Sequence, residues 1–215
     1  MALEDGGRLV GRYAESGKSH AQKILEMVES VLTEAEMSLS MLDGIAASVG
    51  PGAFTGVRIS VAVAQGLAFG ADLRVVPVTT LEALAFKAIA AGAQQVLACL
   101  DARMGELYWG CFAVDPERGL CALGRAAVGA PGAVIPEVPG TYRGIGRGFA
   151  AYPALGELPG LELAPGDDRA LPDAREFARL GALRLRLGEA VDPADLRPLY
   201  LRDKVALTEA ERAAK

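Results

Sequence analysis

Residues 48–70 read SVGPGAFTGVRISVAVAQGLAFG, and the rest of the chain is organised around this segment. Three glycines and a proline lie within residues 50–56, directly after a short apolar run at 45–49. Glycine adopts backbone angles that other residues avoid, so the pattern predicts a strand, a tight turn and then a helix. That helix is apolar on almost every side, and such a helix must be covered on every side by the rest of the chain or by a second protein.

The overall composition is that of a globular protein without a large nucleic-acid-binding face. The chain has 215 residues, of which 51% are hydrophobic and 23% charged, and its net charge is −5. This length suits one or two domains, and an acidic chain attracts phosphate backbones poorly. No run reaches the ~18 apolar residues of a membrane span, and the acidic start MALEDGGRLVG is unlike a signal peptide. We therefore expect a cytoplasmic protein with no membrane partner.

Helical and strand patterns alternate along the chain. Helices are predicted over 19–36, over 55–70, over 80–91 behind a capping box formed by Thr79 and Glu82, and over 172–187 with Pro172 as the first helical residue. Strands are predicted over 8–14, 45–49, 74–78, 141–148 and 161–163, with a meander over 95–100, 106–114 and 120–128. The expected fold is α/β with two lobes, 1–93 and 94–215, the second of which carries the last helix and the tail.

The two halves begin alike, except that the first half lacks a leading strand. AVDPERGL at 113–120 resembles ALEDGGRLV at 2–10, since each is a strand end, an acidic turn and a new strand. If the halves are related, a whole strand is missing ahead of the first turn. Such a gap exposes unpaired strand edges, which favours pairing with a partner or with a second copy.

Four segments in chain order resemble the TsaB family, also called YeaZ. They are GPGAFTGVRISVAVAQGLAFG, VVPVTTLEALA, LDARMGELYWGCF and PLYLRDKVALTEAER. The resemblance implies the two-lobed ASKHA fold of sugar kinases, Hsp70 and actin. It also implies a role in making threonylcarbamoyl-adenosine (t6A) at position 37 of tRNAs that read ANN codons. Family members normally begin with a buried strand carrying a DTS-like segment, whereas this chain starts inside the second strand.

The resemblance implies an accessory role without a complete active site. TsaB is the non-catalytic relative of TsaD, which it binds through its first two long helices, and TsaE joins as an ATPase. Contact with tRNA is then indirect, ATP or ADP belongs to the complex, no cofactor is held firmly by this chain alone, and a homodimer is expected in isolation. Mapped onto this chain, the partner-interface residues are Ile24, Leu25, Val28, Val31, Leu32, Val57, Ser60, Val61 and Ala64.

Three features are candidates for nucleotide or anion contact, each beside a structural alternative. Gly50, Gly52 and Thr55 precede the apolar helix and either hold an anion or only shape a tight turn, and Arg58 either faces that anion or packs. Asp101 either helps to hold Mg²⁺ and phosphate or merely forms a turn. Gly144 and Gly146 either approach an adenosine or form a strand-to-helix turn. The first loop is not a P-loop, because no lysine follows at the required spacing.

No metal centre or covalent nucleophile is indicated by the sequence. His20 is the single histidine, and we expect it to face solvent or to cap a helix. Cys99, Cys111 and Cys121 lack metal-ligand spacing and are expected to be buried free thiols. The alternatives are a stand-alone phosphotransferase of the ASKHA type, which requires tight ATP binding, and a metallopeptidase, which requires a bound metal.

Overall fold

The structure is a computed structural model that describes residues 1–13 and 20–202. Its strands are β1 Ala2–Asp5, β2 Arg8–Gly11, β3 Gly44–Ser48, β4 Arg74–Val78, β5 Gln95–Arg103, β6 Glu106–Asp115, β7 Gly119–Ala122, β8 Ala127–Gly129, β9 Tyr142–Ile145 and β10 Leu161–Leu163. Its α-helices are α1 His20–Ala35, α2 Phe54–Ala71, α3 Thr80–Ala90, α4 Arg147–Ala151 and α5 Ala174–Arg186. The predicted order of strands and helices is confirmed.

The second half is built on one sheet with the order β10-β9-β5-β6-β7, in which β8 also pairs with β6. The predicted meander is confirmed, but its third strand is split into two short strands. Both pieces pair antiparallel with the long strand β6, at different ends of it. The break coincides with Gly124, whose φ of 93° interrupts an extended backbone.

The first half contains two separate pairs of strands. The hairpin β1–β2 turns at Gly6 and Gly7, whose φ angles of 53° and 99° suit the mirror-image turns of tight hairpins. Strands β3 and β4 are parallel, because α2 carries the chain back between them. Within the described ranges, no backbone pairing joins the hairpin to the β3–β4 pair. The described part of the first half is therefore built on two separate sheet fragments.

Hydrogen bonds from nearby side chains determine where α3 and α5 begin. At α3 the predicted capping box is confirmed: the Thr79 hydroxyl accepts from the Glu82 amide at 3.1 Å, and the Glu82 carboxylate accepts from the Thr79 amide at 2.7 Å. At α5 the cap is Asp173, whose carboxylate accepts from the Arg175 amide at 3.0 Å. The prediction that Pro172 is the first helical residue is therefore wrong, because the aspartate satisfies the free amide one position later.

The last helix packs on the first half of the chain, although the sequence placed it in the second lobe. A Cβ on Gly181 would overlap the Cβ of Ala46 in β3, and the Leu185 side chain lies 3.2 Å from where a Cβ on Gly44 would be. The following segment continues there, since Val75 and Val191 form an isolated antiparallel bridge. The boundary at residue 93 remains a prediction, but residues 174–191 contact the other side of it.

Clusters of buried apolar side chains, four among the described residues, hold the chain together. The largest cluster surrounds α3 and includes Leu81, Leu84 and Leu180, all 0% exposed. A second cluster, around Leu97 and Phe149, fills the space between the large sheet and α4. The third lies between α2 and the β3–β4 pair. This third cluster decides which face of α2 remains available.

Candidate partner-binding surface

Helix α2 has two apolar faces, and only one of them is covered by the chain itself. Its covered face consists of Val57, Val61, Ala64 and Ala68, each 8% exposed or less. Residues at spacings of four, seven and eleven share one side of a helix, so these four form a single stripe. Val61, Ala64 and Ala68 belong to the third core cluster, together with Ala47 of β3 and Val75 of β4.

The opposite face of α2 is apolar and open. Its residues follow the same helical spacing, half a turn away from the buried stripe, and they are Ile59, Ala62, Val63, Gly66, Phe69 and Gly70. The Phe69 side chain is 61% exposed. A Cβ placed on Gly66 or on Gly70 would meet no atom within 4 Å. We call these six residues the α2 outer face.

This geometry corrects part of the predicted partner interface. Val57, Val61 and Ala64 lie in the protein's own core, so their side chains offer no surface to another molecule. Val31 in α1 is only 2% exposed and packs in a cluster with Leu3 and Val10. The sequence marked α2 as apolar all round, but it did not show which stripe the sheet covers.

The side chains of the other predicted interface residues remain at least partly exposed to solvent. Ile24, Val28, Leu32 and Ser60 are half-buried, and Leu25 is 50% exposed. Helix α1 contacts α2, so these residues and the α2 outer face lie on neighbouring elements. Their role in partner binding remains a prediction. Ala62, Gly66 and Phe69 are exposed but were not among the predicted residues, although their spacing in the sequence matches that of the residues chosen.

By length and composition alone, α2 is also apolar enough to cross a membrane. The expectation that no segment could span a membrane is therefore wrong. Arg58 and Gln65 interrupt the apolar run, but the hydropathy averaged over the whole helix is still high enough. The test is weak evidence, since core helices pass it too. Here Gln65 donates to the carbonyl oxygen of Pro193 at 2.8 Å, which ties the helix to the chain.

The glycine-rich loop before α2 is tied to its neighbours by backbone hydrogen bonds. The carbonyl oxygen of Gly50 accepts from the Thr80 amide at 2.8 Å, and that of Pro51 accepts from the Thr80 hydroxyl at 2.5 Å. Gly50 has a φ of 95°, which favours glycine. These bonds support the interpretation of the loop as a tight turn between β3 and α2. Gly52 and Thr55 are exposed beside it.

Arg58 is held by aromatic packing. Its guanidinium carbon lies 3.5 Å from the ring centroid of Phe54, and its Nε donates to the Tyr200 hydroxyl at 2.8 Å. Cation–π stacking of this kind stabilises an arginine at a fixed position. Of the two alternatives left open by the sequence, the structure favours packing over an anion contact.

Asp101 forms a turn. Its carboxylate accepts from the Arg103 amide at 2.8 Å, while the Arg103 guanidinium lies 3.8 Å away from it. The residues after Asp101 meet the glycine-rich loop at a cleft of about 210 Å³, which Gly52 and Arg103 help to line. Small-molecule sites usually have roughly 300–1,000 Å³, so this cleft is small for a nucleotide.

Gly144 and Gly146 in the second half allow neighbouring backbone and side chains to pack closely. A Cβ on Gly146, which has a φ of 113°, would overlap the carbonyl oxygen of Cys99. A Cβ on Gly144 would lie 2.7 Å from Leu163 and 2.8 Å from Phe149. Both glycines are buried. They therefore join β9 and α4 to β5, and they do not line the cleft formed by Gly52 and Arg103.

The described residues include three free cysteines and form no metal cluster. Over residues 1–13 and 20–202, no group of three His, Cys, Asp or Glu side chains is placed to hold a metal ion. The side chain of His20 lies outside the described part, so its prediction is untested. Cys99 and Cys111 are buried free thiols, as predicted, and Cys121 is half-buried. Burial raises the pKa of Cys111 to about 11 and raises that of Cys99 further, so both thiols are protonated at neutral pH.

Comparisons with known proteins agree with the resemblance seen in the sequence. A profile of the TsaD family, tRNA N6-adenosine threonylcarbamoyltransferase, matches residues 14–133. The chain is 36% identical over 210 residues to the tRNA threonylcarbamoyladenosine biosynthesis protein TsaB of Escherichia coli, covering 96% of this chain and 90% of that protein. It is 33% identical over 198 residues to the Haemophilus influenzae protein of the same name, covering 87% and 82%.

Solved structures give the same result. A Pseudomonas aeruginosa protein described as uncharacterised, with similarity to peptidase YeaZ, superposes with a TM-score of 0.85 at 37% identity, covering 94% of this chain and 93% of that one. YeaZ from Pseudomonas aeruginosa superposes with a TM-score of 0.82, also at 37% identity, covering 93% and 92%. These likenesses confirm the predicted α/β, ASKHA-like fold. The chain belongs to the TsaB family, also called YeaZ.

Proposed function

We propose that this chain is a non-catalytic subunit of the machinery that transfers the threonylcarbamoyl group to adenosine 37 of tRNAs reading ANN codons. Involvement in t6A biosynthesis follows from its family, whose members bear the name of that pathway. The accessory role rests on the α2 outer face. An open apolar stripe on α2, one of the two predicted partner helices, is the kind of surface that a second protein covers.

TsaD is the proposed occupant of this surface. The small residues Ala62, Gly66 and Gly70 let another backbone approach α2 closely, while Phe69 supplies a large apolar anchor. Leu25 and the half-buried residues of α1 extend the contact. An interface of standard size buries about 1,200–2,000 Å² in total, which needs contributions from both helices.

The same surface accounts for a proposed homodimer, and the remaining proposed partners belong to the assembly. Without TsaD, a second copy of the chain covers the α2 outer face, which gives a homodimer. TsaE joins the complex as an ATPase, and tRNA and ATP or ADP are bound by the assembly in the cytoplasm. Burial keeps the thiols of Cys99 and Cys111 protonated, which supports a chain that supplies no cysteine nucleophile, and no peptidase activity is expected.

Replacement of Phe69 tests the proposal. We expect Phe69→Asp to abolish the complex with TsaD, because a carboxylate would be buried in the interface, while the chain stays folded since Phe69 is 61% exposed. Light scattering coupled to size-exclusion chromatography measures the complex, and circular dichroism measures the fold.

The matched control is Ile135→Asp, at an apolar side chain that is 72% exposed in a different part of the chain. It should leave the complex intact. Should Phe69→Asp bind TsaD as tightly as Ile135→Asp does, the α2 outer face is not the docking surface.

A further inference from the structure

The cleft of about 210 Å³ beside the glycine-rich loop is positively charged. Its charged side chains are Arg103 and Arg202, and no carboxylate is among the described residues that line it. The Arg202 guanidinium is neutralised by Glu106, to which it donates at 2.5 Å. The Arg103 side chain is 87% exposed, and its guanidinium lies 3.8 Å from the Asp101 carboxylate, which is a weak surface pair. Although the chain has a net charge of −5, this cleft therefore attracts an anion.

Three aromatic rings line the same cleft, those of Phe54, Tyr108 and Tyr200. Phe54 is 44% exposed and Tyr200 is 49% exposed, and their ring centroids lie 6.1 Å apart with the ring planes tilted by 34°. Arg58 restrains both rings, because its guanidinium stacks on Phe54 and its Nε donates to the Tyr200 hydroxyl. Rings that are exposed and held in place offer flat surfaces on which another planar group can stack.

The turn between β5 and β6 holds two side chains at the rim of this cleft in a strained conformation. Arg103 and Met104 have φ angles of 62° and 57°, in the left-handed region that favours glycine. Neither side chain is buried to compensate for the strain, since Met104 is 65% exposed and Arg103 is exposed still further. Residues of this kind cluster at sites that bind ligands. The strained turn therefore supports a binding role for Arg103.

An occupant that is both planar and negatively charged matches these groups. Small-molecule sites usually have roughly 300–1,000 Å³, so the cleft holds part of a ligand and not a whole nucleotide. A single strand of RNA fits this description, because one base can stack on an aromatic ring while the neighbouring phosphates remain outside. An acidic peptide would supply the charge for Arg103, but its carboxylates would leave the exposed rings without a stacking partner.

We propose that this cleft binds single-stranded RNA directly, with one base stacked against Phe54 and Tyr200 and an adjacent phosphate bound by Arg103. Arg58 is a positioning residue, since it holds the two rings and does not contact the RNA. The inference rests on the proposed function, whose substrate is a tRNA with single-stranded loops. It goes beyond that function, because the family resemblance implies only indirect contact between this chain and tRNA.

Fluorescence anisotropy of labelled decauridylate, titrated with the full chain, tests the proposal. We expect saturable binding that weakens at least about fivefold in Tyr200→Ala, because a base loses its stacking partner, with no change in salt dependence. Arg103→Ala should weaken binding and also reduce the slope of log Kd against log salt concentration by about 0.7, because one phosphate fewer is neutralised. The two variants thus have different signatures, and a loss of fold would produce neither.

Two further variants serve as controls. Arg169→Ala is matched to Arg103→Ala, since the Arg169 side chain is 83% exposed and its guanidinium lies 3.5 Å from the Asp168 carboxylate. It should change neither the affinity nor the slope. Tyr200→Phe keeps the ring and should retain most of the binding. If it lost as much affinity as Tyr200→Ala, stacking on the ring would be contradicted.

Other results would also overturn the proposal. One is absence of binding at about 0.1 mM chain, which is the weak limit of non-specific nucleic-acid affinity. Another is an equal change of slope in the Arg103 and Arg169 variants. Displacement of the RNA by hexaglutamate at equal concentration would mean that the cleft recognises charge alone. Phe69→Asp should bind the RNA normally, since Phe69 does not line this cleft. Failure of RNA binding is therefore distinguishable from failure of TsaD binding.

Discussion

At the scale of the residue, the glycines of the second half decide how closely backbones approach. Gly146 combines a φ of 113° with a position at which a Cβ would overlap the carbonyl oxygen of Cys99. Gly166 has a φ of 85°, but a Cβ there would meet nothing within 4 Å. A comparison of substitutions at these two glycines therefore separates the energetic cost of backbone strain from that of steric overlap.

We expect Gly146→Ala to lower the free energy of unfolding by about 2–5 kcal/mol, through strain and overlap together. Gly166→Ala should cost only about 1 kcal/mol, because strain acts alone there. Urea denaturation of both variants measures the difference. Equal costs would mean that β5 yields freely to the added methyl group.

A second prediction at this scale concerns Asp173, the cap of α5. Hydrogen bonds from Arg175 lower the pKa of its carboxyl from 3.8 to about 2. A pKa that is lower in the folded state stabilises the fold above pH 4, and this contribution disappears as the pH falls from 4 toward 2.

At neutral pH, Asp173→Ala should therefore lower the free energy of unfolding by about 1 kcal/mol, and the difference from the unmodified chain should vanish near pH 2. Asp173→Asn is the control, since an amide caps the helix without titrating. Thermal unfolding between pH 2 and pH 7 measures the effect. A difference that is constant with pH would contradict the assigned role.

Residue-level predictions succeeded where the chemistry is local. The capping box at Thr79 and Glu82 could be read from two side chains three positions apart, and the structure confirms it. The hydrogen bond from the Arg58 side chain to the Tyr200 hydroxyl could not be read this way. Tyr200 is 142 positions away in the sequence, so only the folded chain brings it near.

At the scale of the element, α3 and α5 are joined by a charge pair that also belongs to the capping box. The Arg184 guanidinium donates to the Glu82 carboxylate at 2.6 Å, and these side chains are 13% and 17% exposed. Glu82 thus caps α3 with one oxygen and binds α5 with the other.

We expect Glu82→Ala to lower the free energy of unfolding by about 2–4 kcal/mol, because it removes a cap and leaves Arg184 without its main partner. Thr79→Ala should cost about 1 kcal/mol, since only the cap is lost. Chemical denaturation of the two variants compares them. A Glu82 variant no less stable than the Thr79 variant would show that the link to α5 contributes nothing.

Helices and strands with a clear hydrophobic period could be predicted from the sequence, but which face of each is buried could not. The strands of the meander and the helices appeared where the sequence put them. Helix α2 carries no polar stripe, so its sequence could not say which side the β3–β4 pair covers. Val61 and Ala62 differ little in character, yet Val61 is 5% exposed and Ala62 lies on the open side.

At the scale of the whole molecule, the last described part of the chain joins the two halves. Arg184 contacts α3, the Leu199 amide donates to the carbonyl oxygen of Val49 at 2.8 Å, and Arg202 donates to the Glu106 carboxylate at 2.5 Å. Such contacts connect distant positions and leave no periodic trace in the sequence. That is why the lobe to which α5 belongs could not be predicted, whereas the α/β class could.

The central claim is that this chain supports the t6A reaction through binding and performs no chemistry of its own. The decisive assay is formation of t6A on an ANN-decoding tRNA, with TsaD and TsaE from the same genome, ATP and a donor of the threonylcarbamoyl group. We expect no product from this chain alone, robust product when it is added to TsaD and TsaE, and loss of that gain with Phe69→Asp but not with Ile135→Asp. Product formed by this chain alone, or a TsaD rate that is the same with and without it, would contradict the account.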